Sequence, residues 1–144
     1  MNKILITGST GFIGQRLINA VDAEVQVLSR VKQLGYDTIV CNLEKELNLN
    51  NALSDIDTVF HLAGFAHDFR DATKVKNLYH KVNVYATVEL AKIAVANDVE
   101  RFIFVSSVKA GGSSVSEKCT DESCQGDPEG IYGKTKREAE LKLL

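Results

Sequence analysis

The sequence predicts an α/β fold built on a parallel sheet of about five strands with helices on both faces. Short apolar or alternating segments recur along the chain, and segments with helical periodicity lie between them. Parallel neighbours need a long crossover, usually a helix, and this alternation supplies one. The second observation is a turn with three glycines between the first strand and the first helix. We expect a doubly wound sheet with the strand order 3-2-1-4-5.

The strands are predicted from short apolar or alternating runs that are bounded by polar or small residues. Glu-Val-Gln-Val-Leu-Ser at 24–29 alternates, as a half-buried strand does. Residues 58–62 form a mostly apolar run between Asp57 and Ala63-Gly64, which is typical of a buried strand. The predicted strands cover residues 2–7, 24–29, 38–41, 58–62 and 101–106.

The helices are predicted from apolar residues that recur at helical spacing. Val84, Val88, Ala91 and Val95 share one face of a long helical region. The predicted helices cover residues 12–20, 47–53, 73–97 and 131–144. Residues 109–129 are rich in Gly, Ser and acidic side chains, which predicts a loop. No repeat or interdomain linker interrupts this pattern, so we expect one dinucleotide-binding domain over residues 1–144.

The composition limits the classes of protein to consider. The chain has 144 residues and a formal net charge of −2, which suits one domain with a sizeable core and gives no reason to expect a nucleic-acid partner. No apolar run approaches the ~20 residues of a membrane span, and no signal peptide precedes the first strand, so we expect a cytoplasmic protein without a membrane partner. Cys41, Cys119 and Cys124 lack metal-ligand spacing with the histidines, which predicts free thiols and no metal. A redox switch between Cys119 and Cys124 is the alternative to a chance spacing in a loop.

Residues 3–14 read Lys-Ile-Leu-Ile-Thr-Gly-Ser-Thr-Gly-Phe-Ile-Gly and carry the glycine turn. Gly8 allows a sharp turn after the strand, Gly11 lets a pyrophosphate approach the backbone, and Gly14 lets the helix pack closely on the sheet. The N-terminus of the following helix offers N–H groups and a positive dipole end to phosphates. This arrangement predicts a dinucleotide-binding βαβ unit, and a glycine-rich turn without a ligand is the alternative.

The residues that follow each strand are candidate binding residues, because ligands bind beyond the carboxyl ends of the strands in open parallel sheets. Arg30 follows the second strand, where an arginine suits a 2′-phosphate better than a ribose hydroxyl, and an exposed surface arginine is the alternative. Asn42-Leu43 follows the third strand, where adenine would lie. Ala63-Gly64 after the fourth strand would let a cofactor pass, and Ser106-Ser107 ends the fifth.

Tyr132 and Lys136 lie four residues apart, so they share one face of a helix. A phenol is a poor base at neutral pH, and a nearby ammonium lowers the pKa of a phenol by stabilising the phenolate. Such a pair can exchange a proton with a substrate hydroxyl or carbonyl, while the Ser107 hydroxyl holds the same oxygen. An ordinary surface helix is the alternative, and the nucleotide-binding pattern before it favours the catalytic interpretation.

These motifs together resemble the extended short-chain dehydrogenase/reductase family of nucleotide-sugar epimerases and dehydratases, which has a Rossmann-type fold. The motifs are Thr-Gly-Ser-Thr-Gly-Phe-Ile-Gly at 7–14, His-Leu-Ala-Gly at 61–64, Asn-Val at 83–84, Arg-Phe-Ile-Phe-Val-Ser-Ser at 101–107 and Tyr-Gly-Lys-Thr-Lys at 132–136. The resemblance implies NAD or NADP as the cofactor, with Ser107, Tyr132 and Lys136 as catalytic residues and Tyr132 as the acid/base. It implies that the cofactor is bound by Gly8, Gly11, Phe12, Ile13, Gly14, Arg30, Asn42, Leu43, Leu62, Ala63, Gly64, Asn83, Tyr132 and Lys136.

Within the family, Ser-Ser-Val-Lys at 106–109 and the loop after it look most similar to the branch that reduces or epimerises UDP-4-keto-N-acetyl sugars for surface polysaccharides. Asn42 stands where the family usually has an aspartate that reads adenine, although an amide oxygen can accept the same hydrogen bond. The family continues with further strands and a substrate domain beyond the equivalent of position 144. The resemblance therefore predicts a truncated fold, with the long helix and the Tyr132/Lys136 helix available to form a homodimer.

Three functions remain open at this point. The chain is an NAD(P)-dependent oxidoreductase or epimerase of UDP-hexose-type nucleotide-sugars, a cofactor-binding fragment without turnover, or a protein with neither ligand nor activity. The intact set of Ser107, Tyr132 and Lys136 favours the family function. The missing substrate domain favours the second function for this chain acting alone, and Asn42 together with truncation favours the third. Arg30 in place of an acidic residue leaves the choice between NAD and NADP open.

Overall fold

The computed structural model of the chain describes residues 2–49, 51–66, 72–112, 121–123 and 126–144. The chain forms two compact units. The first unit comprises Met1–Gly64 and Glu89–Val105, and the second comprises Phe65–Val88 and Ser106–Leu144. All five strands of the sheet belong to the first unit.

The first unit contains a five-stranded sheet with the order β3-β2-β1-β4-β5, in which every neighbouring pair is parallel. The strands are β1 (Lys3–Thr7), β2 (Glu24–Ser29), β3 (Asp37–Val40), β4 (Thr58–His61) and β5 (Arg101–Phe104). The predicted fold class and strand order are confirmed. The register pairs Thr7 with Leu28 on one side and with His61 on the other. The carboxyl ends of β1, β2 and β4 therefore lie level at one edge of the sheet.

A cluster of buried apolar side chains forms the core of the first unit. It joins the three central strands to the part of helix α3 (Ala86–Ala96) that belongs to this unit. The members are Leu5, Leu28, Leu49, Leu53, Ile56, Val59, Leu90 and Ala94. Burial of this apolar area is the main stabilising contribution to the unit.

The helix predicted at 47–53 is wrong, because residues 47–49 have no regular structure and residues 51–53 lie in turns. The N–H of Ala52 donates to Leu49 O at 2.7 Å, and the N–H of Ile56 donates to Leu53 O at 3.1 Å. These bonds span three residues instead of four. The segment is short and contains three asparagines, whose side chains compete for backbone hydrogen bonds and favour turns. The apolar residues that suggested a helix reach the core from these turns instead.

The second unit is helical in most of its described residues. Its elements are α2 (Ala72–His80), a five-residue π-helical segment (Lys81–Tyr85), the first three residues of α3, α4 (Val108–Gly111) and α5 (Gly130–Leu143). The long helix predicted at 73–97 is confirmed, with the π-helical segment as an unpredicted widening in its middle. The helix predicted at 131–144 is confirmed as α5. The loop predicted at 109–129 is wrong at its start, where α4 forms.

One of the three cysteines lies in the part of the chain that the structure describes. Cys41 is a free, half-buried thiol, and burial raises its pKa. Cys119 and Cys124 lie outside the described residues, so both interpretations of that pair stay open. Within the described ranges, no helix is long and apolar enough to cross a membrane. The same residues contain no group of three or more His, Cys, Asp or Glu side chains placed to hold a metal ion.

Candidate active site

The glycine turn joins β1 to α1 (Phe12–Ala20) through contacts that exclude a side chain at two positions. Gly8 has a φ of +72°, and a Cβ there would lie 2.8 Å from the backbone nitrogen of Ala63. A Cβ on Gly14 would lie 2.3 Å from Gly8 O. The N–H of Gly11 donates to Gly8 O at 3.0 Å and closes the turn. The helix therefore passes as close to the strand end as a phosphate-binding turn requires.

The N-terminus of α1 is open to an anion. Its N-cap residue is Gly11, so no side-chain oxygen caps the first turn, and the first N–H groups have no intrahelical partner. Phe12 and Ile13 in this turn are exposed. The Ser9 hydroxyl is buried and has no hydrogen-bond partner among the described residues. An uncapped helix N-terminus beside an unsatisfied hydroxyl fits the pyrophosphate of a dinucleotide, which accepts hydrogen bonds from both.

Arg16 adds a positive charge near this turn, and the sequence analysis did not assign it. Its guanidinium lies 3.7 Å from the centroid of the Phe12 ring and donates to Phe12 O at 3.1 Å. A cation near a helix N-terminus is unfavourable toward the helix dipole, but it is favourable toward a phosphate bound there. The four-residue spacing from Phe12 is the sequence signal that could have identified this pair.

The ends of β1 and β4 are joined by a buried polar contact. Thr7 Oγ1 lies 2.7 Å from His61 Nδ1, and both side chains are fully buried. The N–H of Ala63 donates to the same hydroxyl at 3.1 Å. This contact holds the candidate cofactor residues Leu62, Ala63 and Gly64 next to the glycine turn. Thr7 and His61 both belong to the predicted motifs, but the contact between them was not predicted.

Of the candidate binding residues after β2 and β3, one is exposed and another already makes a local hydrogen bond. Arg30 is exposed and makes no ion pair with any described residue. Asn42 Oδ1 accepts the N–H of Glu44 at 3.0 Å, so the oxygen that was expected to bind adenine already holds the turn after β3. One lone pair of that oxygen remains for a ligand. Leu43, beside it, is half-buried against the core.

A cavity of about 280 Å³ lies beside the glycine turn in the first unit. Its lining residues are Ser9, Thr10, Gln15, Ile18, Asn19, Gln33 and Tyr36. None of them is acidic or basic, and most carry a hydrogen-bond donor. None of these side chains was predicted to bind a ligand: Ser9 and Thr10 lie within the glycine motif but were given no role, and the other five residues belong to no predicted motif.

Asn83 organises the second unit from the π-helical segment. Its Oδ1 accepts the N–H of Phe65 at 2.7 Å, and its Nδ2 donates to Phe65 O at 3.0 Å and to Thr135 Oγ1 at 3.1 Å. Asn83 is 1 % exposed; its hydrogen bond to Thr135 is buried, and the two to Phe65 are partly buried. The side chain ties the chain at Phe65 to α5 one residue before Lys136. π-helical widenings often occur at functional sites, and this one carries the predicted asparagine.

The three predicted catalytic residues lie on the adjoining helices α4 and α5 of the second unit. Ser107 is the N-cap of α4, where its Oγ accepts the N–H of Lys109 at 3.3 Å. Its hydroxyl proton is therefore still available for donation. Gly133 lets α5 approach α4, since a Cβ on it would lie 2.3 Å from Lys109 O. Tyr132 is half-buried on α5.

Lys136 is a buried cation of this unit. It is 3 % exposed, and burial lowers its pKa to about 8, while the Glu140 carboxylate partly offsets this effect. Its ammonium is therefore mostly charged at neutral pH, in a low-dielectric environment where its field is strong. A lysine on an ordinary surface helix would be solvated, so the burial favours the functional interpretation of the Tyr132/Lys136 pair over the surface interpretation.

The fold and these residues define an α/β protein with a dinucleotide-type glycine turn and a Ser/Tyr/Lys set. The chain belongs to the NAD dependent epimerase/dehydratase family, whose sequence model matches residues 4–143. It is 34 % identical to a UDP-glucose 4-epimerase from Vibrio cholerae, over 99 % of this chain and 46 % of that protein. The predicted family is therefore confirmed.

Solved structures agree with this assignment. A short-chain dehydrogenase/reductase superfamily protein from Agrobacterium tumefaciens with bound NAD superposes with a TM-score of 0.85 at 27 % identity, over 99 % of this chain and 44 % of that one. MoeE5 in complex with UDP-glucose and NAD gives 0.84 at 31 %, over 99 % of this chain and 48 % of that one. The chain spans about half the length of the curated relatives it matches. The predicted cofactor class is confirmed at the level of the family.

Proposed function

We propose that the chain binds NAD or NADP and serves the oxidation or epimerisation of a nucleotide-sugar, with Ser107, Tyr132 and Lys136 as its catalytic residues. The observation that carries this proposal is Lys136, which is 3 % exposed and has a pKa lowered to about 8 by burial. A buried lysine destabilises the fold while it is charged. Its position one turn after Tyr132 gives that charge a chemical use.

The proposed chemistry divides between the cofactor and the side chains. A bound nicotinamide ring would supply the hydride acceptor for a substrate carbon that carries a hydroxyl group. The Tyr132 phenolate takes the proton of that hydroxyl, and a carbonyl remains. The Lys136 ammonium stabilises the phenolate before this transfer, and the Ser107 hydroxyl donates to the same substrate oxygen. The reverse steps return a hydride and a proton to the carbonyl.

The proposed cofactor contacts begin at the glycine turn. The N–H groups of the first turn of α1 and the Ser9 hydroxyl are donors without partners among the described residues, and a pyrophosphate supplies acceptors for both. Asn83 holds the backbone of Phe65 at two points. We propose that Asn83 helps to position the cofactor by fixing this backbone segment. Lys136 would also donate to the nicotinamide ribose.

The proposed substrate class is a UDP-hexose. The relatives include a UDP-glucose 4-epimerase and a solved structure that contains UDP-glucose. The finer choice of UDP-4-keto-N-acetyl sugars, and the link to surface polysaccharides, rest on the sequence at 106–109. A panel of UDP-glucose, UDP-N-acetylglucosamine and UDP-glucuronic acid with NAD⁺ and NADP⁺ tests this choice.

The second candidate is cofactor binding without turnover by this chain alone. The observation in its favour is that the 144 residues span 46 % of the Vibrio cholerae epimerase. This candidate predicts saturable binding of a nicotinamide dinucleotide and no change in any UDP-sugar. For either candidate, the cytoplasmic location of the protein stays a prediction.

Self-association is proposed through the long helix and through α5, which carries Tyr132 and Lys136. Val95 on α3 and Leu141 on α5 are 76 % and 64 % exposed, and exposed apolar residues of this size often belong to a surface that is covered. Sedimentation velocity over a concentration series measures this directly. A single monomeric species at every concentration contradicts the proposed homodimer.

One set of measurements tests the two functional candidates together. Calorimetric titration with NAD⁺ and NADP⁺ measures binding, and chromatography of the UDP-sugar panel measures turnover. Turnover that falls by at least about a hundredfold in Tyr132→Phe supports the catalytic proposal. The matched control is Tyr85→Phe, an exposed tyrosine of the π-helical segment, which should leave turnover unchanged. Binding without turnover supports the second candidate, and absence of binding refutes both.

A further inference from the structure

We propose that Arg137 is a positioning residue that fixes Ser107 relative to the helix that carries Tyr132 and Lys136. The inference rests on the proposed catalytic function and adds a residue that is not among the predicted site residues. It concerns the second unit alone, because Arg137 lies on α5 and Ser107 is the N-cap of α4.

The helix that Ser107 begins is too short to be stable by itself. α4 comprises only Val108–Gly111, and a helix of about one turn leaves most of its backbone groups without intrahelical partners. Ser107 holds the N-terminal end, where its Oγ accepts the N–H of Lys109 at 3.3 Å and its O accepts the N–H of Ala110 at 2.9 Å. The position of the Ser107 hydroxyl therefore depends on the contacts that hold the other end of α4.

Two carbonyls at the C-terminal end of α4 are held by backbone groups that precede α5. Lys109 O accepts the N–H of Glu129 at 2.9 Å, and Gly111 O accepts the N–H of Gly126 at 2.8 Å. Backbone N–H groups are present in every residue except proline. These two hydrogen bonds therefore place few demands on the side chains of the residues that make them.

The carbonyl between these two is held by a side chain of α5. Ala110 O accepts from Arg137 Nη1 at 3.3 Å, in a partly buried hydrogen bond. Ala110 itself is 1 % exposed, so loss of the donor would leave a carbonyl with little access to water. A guanidinium donor is charged, and such hydrogen bonds are stronger than neutral ones. Arg137 thus links α5 directly to the turn that Ser107 begins.

This link connects the three candidate catalytic residues. Arg137 follows Lys136 directly on α5, and Tyr132 lies about one turn earlier. A shift of α4 along α5 would therefore move the Ser107 hydroxyl relative to both of those side chains. Because a displacement of about 1 Å can lower a catalytic rate about a hundredfold, a side chain that prevents such a shift contributes to turnover without touching the substrate.

The first test measures the placement of α4 in the full chain without any ligand. Arg137→Met removes the guanidinium and should speed hydrogen exchange of the Lys109 and Ala110 N–H groups about tenfold to a hundredfold, measured by NMR. Arg137→Lys should restore most of the protection, because a single donor is needed. The matched control is Lys142→Met, which removes a cation of α5 that pairs with Glu138 and should leave this exchange unchanged. Unchanged exchange in Arg137→Met overturns the inference.

Turnover of the UDP-sugar panel separates positioning from general destabilisation. Arg137→Met should lower kcat at least about tenfold while KM stays within about twofold, and Arg137→Lys should recover most of the loss. In a Ser107→Ala background the same substitution should have no further effect, because the hydroxyl that it misplaces is absent. Equal losses in both backgrounds would make Arg137 a merely structural residue and overturn the inference. A wild-type chain that turns over no UDP-sugar contradicts the proposed catalytic function instead, and hydrogen exchange alone then decides whether Arg137 holds Ser107 in place.

Discussion

Replacement of Lys136 by methionine should change how the stability of the chain depends on pH. Methionine has a similar length and no charge, so it fills the same buried space without an ammonium group. Lys136 is 3 % exposed, and burial lowers its pKa from 10.5 to about 8. The charged form is therefore less stable in the folded chain than in the unfolded chain, where water solvates it.

The expected size follows from the two pKa values. Between pH 8 and 10.5 the unfolded state binds more protons at this position than the folded state, so the free energy of unfolding rises with pH in that window. Below pH 8 the lysine is charged in both states, and its destabilisation is fully present. Relative to Lys136→Met, the wild type should gain about 2.5 kcal/mol between pH 7 and pH 10. At pH 7 the methionine variant should be the more stable protein.

Urea unfolding of both proteins at several pH values from 7 to 10 measures this difference. Other groups that titrate in this range are common to both proteins and cancel in the comparison. Lys134→Met is the matched control, because it removes a lysine from an exposed position of the same helix. A wild-type minus Lys136→Met difference that stays flat across this pH range refutes the reasoning, because the lysine would then be as well solvated in the folded chain as in the unfolded one.

Three further substitutions test contacts that hold the candidate residues in place. Thr7→Val keeps the shape but removes the hydroxyl that contacts His61, and a loss of about 2 kcal/mol in urea unfolding is expected because both side chains are buried. Gly133→Ala places a Cβ against Lys109 O and should lower the melting temperature by several degrees more than Lys134→Ala, at an exposed position of the same helix. Asn83→Asp loses both hydrogen bonds that Nδ2 donates. It should destabilise the chain by about 3 kcal/mol, and an unchanged unfolding midpoint would show that these bonds contribute nothing.

The parts of the fold that the sequence predicted are those set by local chemistry. The strand at 24–29 and the helix at 12–20 have the same bounds in the structure, because alternation and helical periodicity act over a few residues. The helix predicted at 47–53 was wrong because the spacing of its apolar residues fits either a helix or successive turns. Its polar side chains favour turns. α4 was missed because four residues are too few to show a period.

The candidate site shows the same division. The glycines and the Tyr132/Lys136 pair are visible as motifs, because their chemistry depends on residue type and spacing. Gln33 and Thr135 carry no such signal. Their roles come from partners across the fold, such as Ser29 Oγ for Gln33 and Asn83 Nδ2 for Thr135. A neutral polar residue becomes informative only when its hydrogen-bond partners are known.

The energetics of Lys136 connect the structure to the proposed chemistry. The free energy of unfolding of a single domain is only about 5–15 kcal/mol. A buried charged lysine lowers it by about 3 kcal/mol at neutral pH, which is a large fraction of that value. An apolar residue of the same size would remove that loss. Structural packing alone therefore favours methionine or leucine at this position, and the Glu140 carboxylate offsets only part of the effect of burial. The proposed catalytic role would give this charge a use, since Tyr132 lies one turn away on α5.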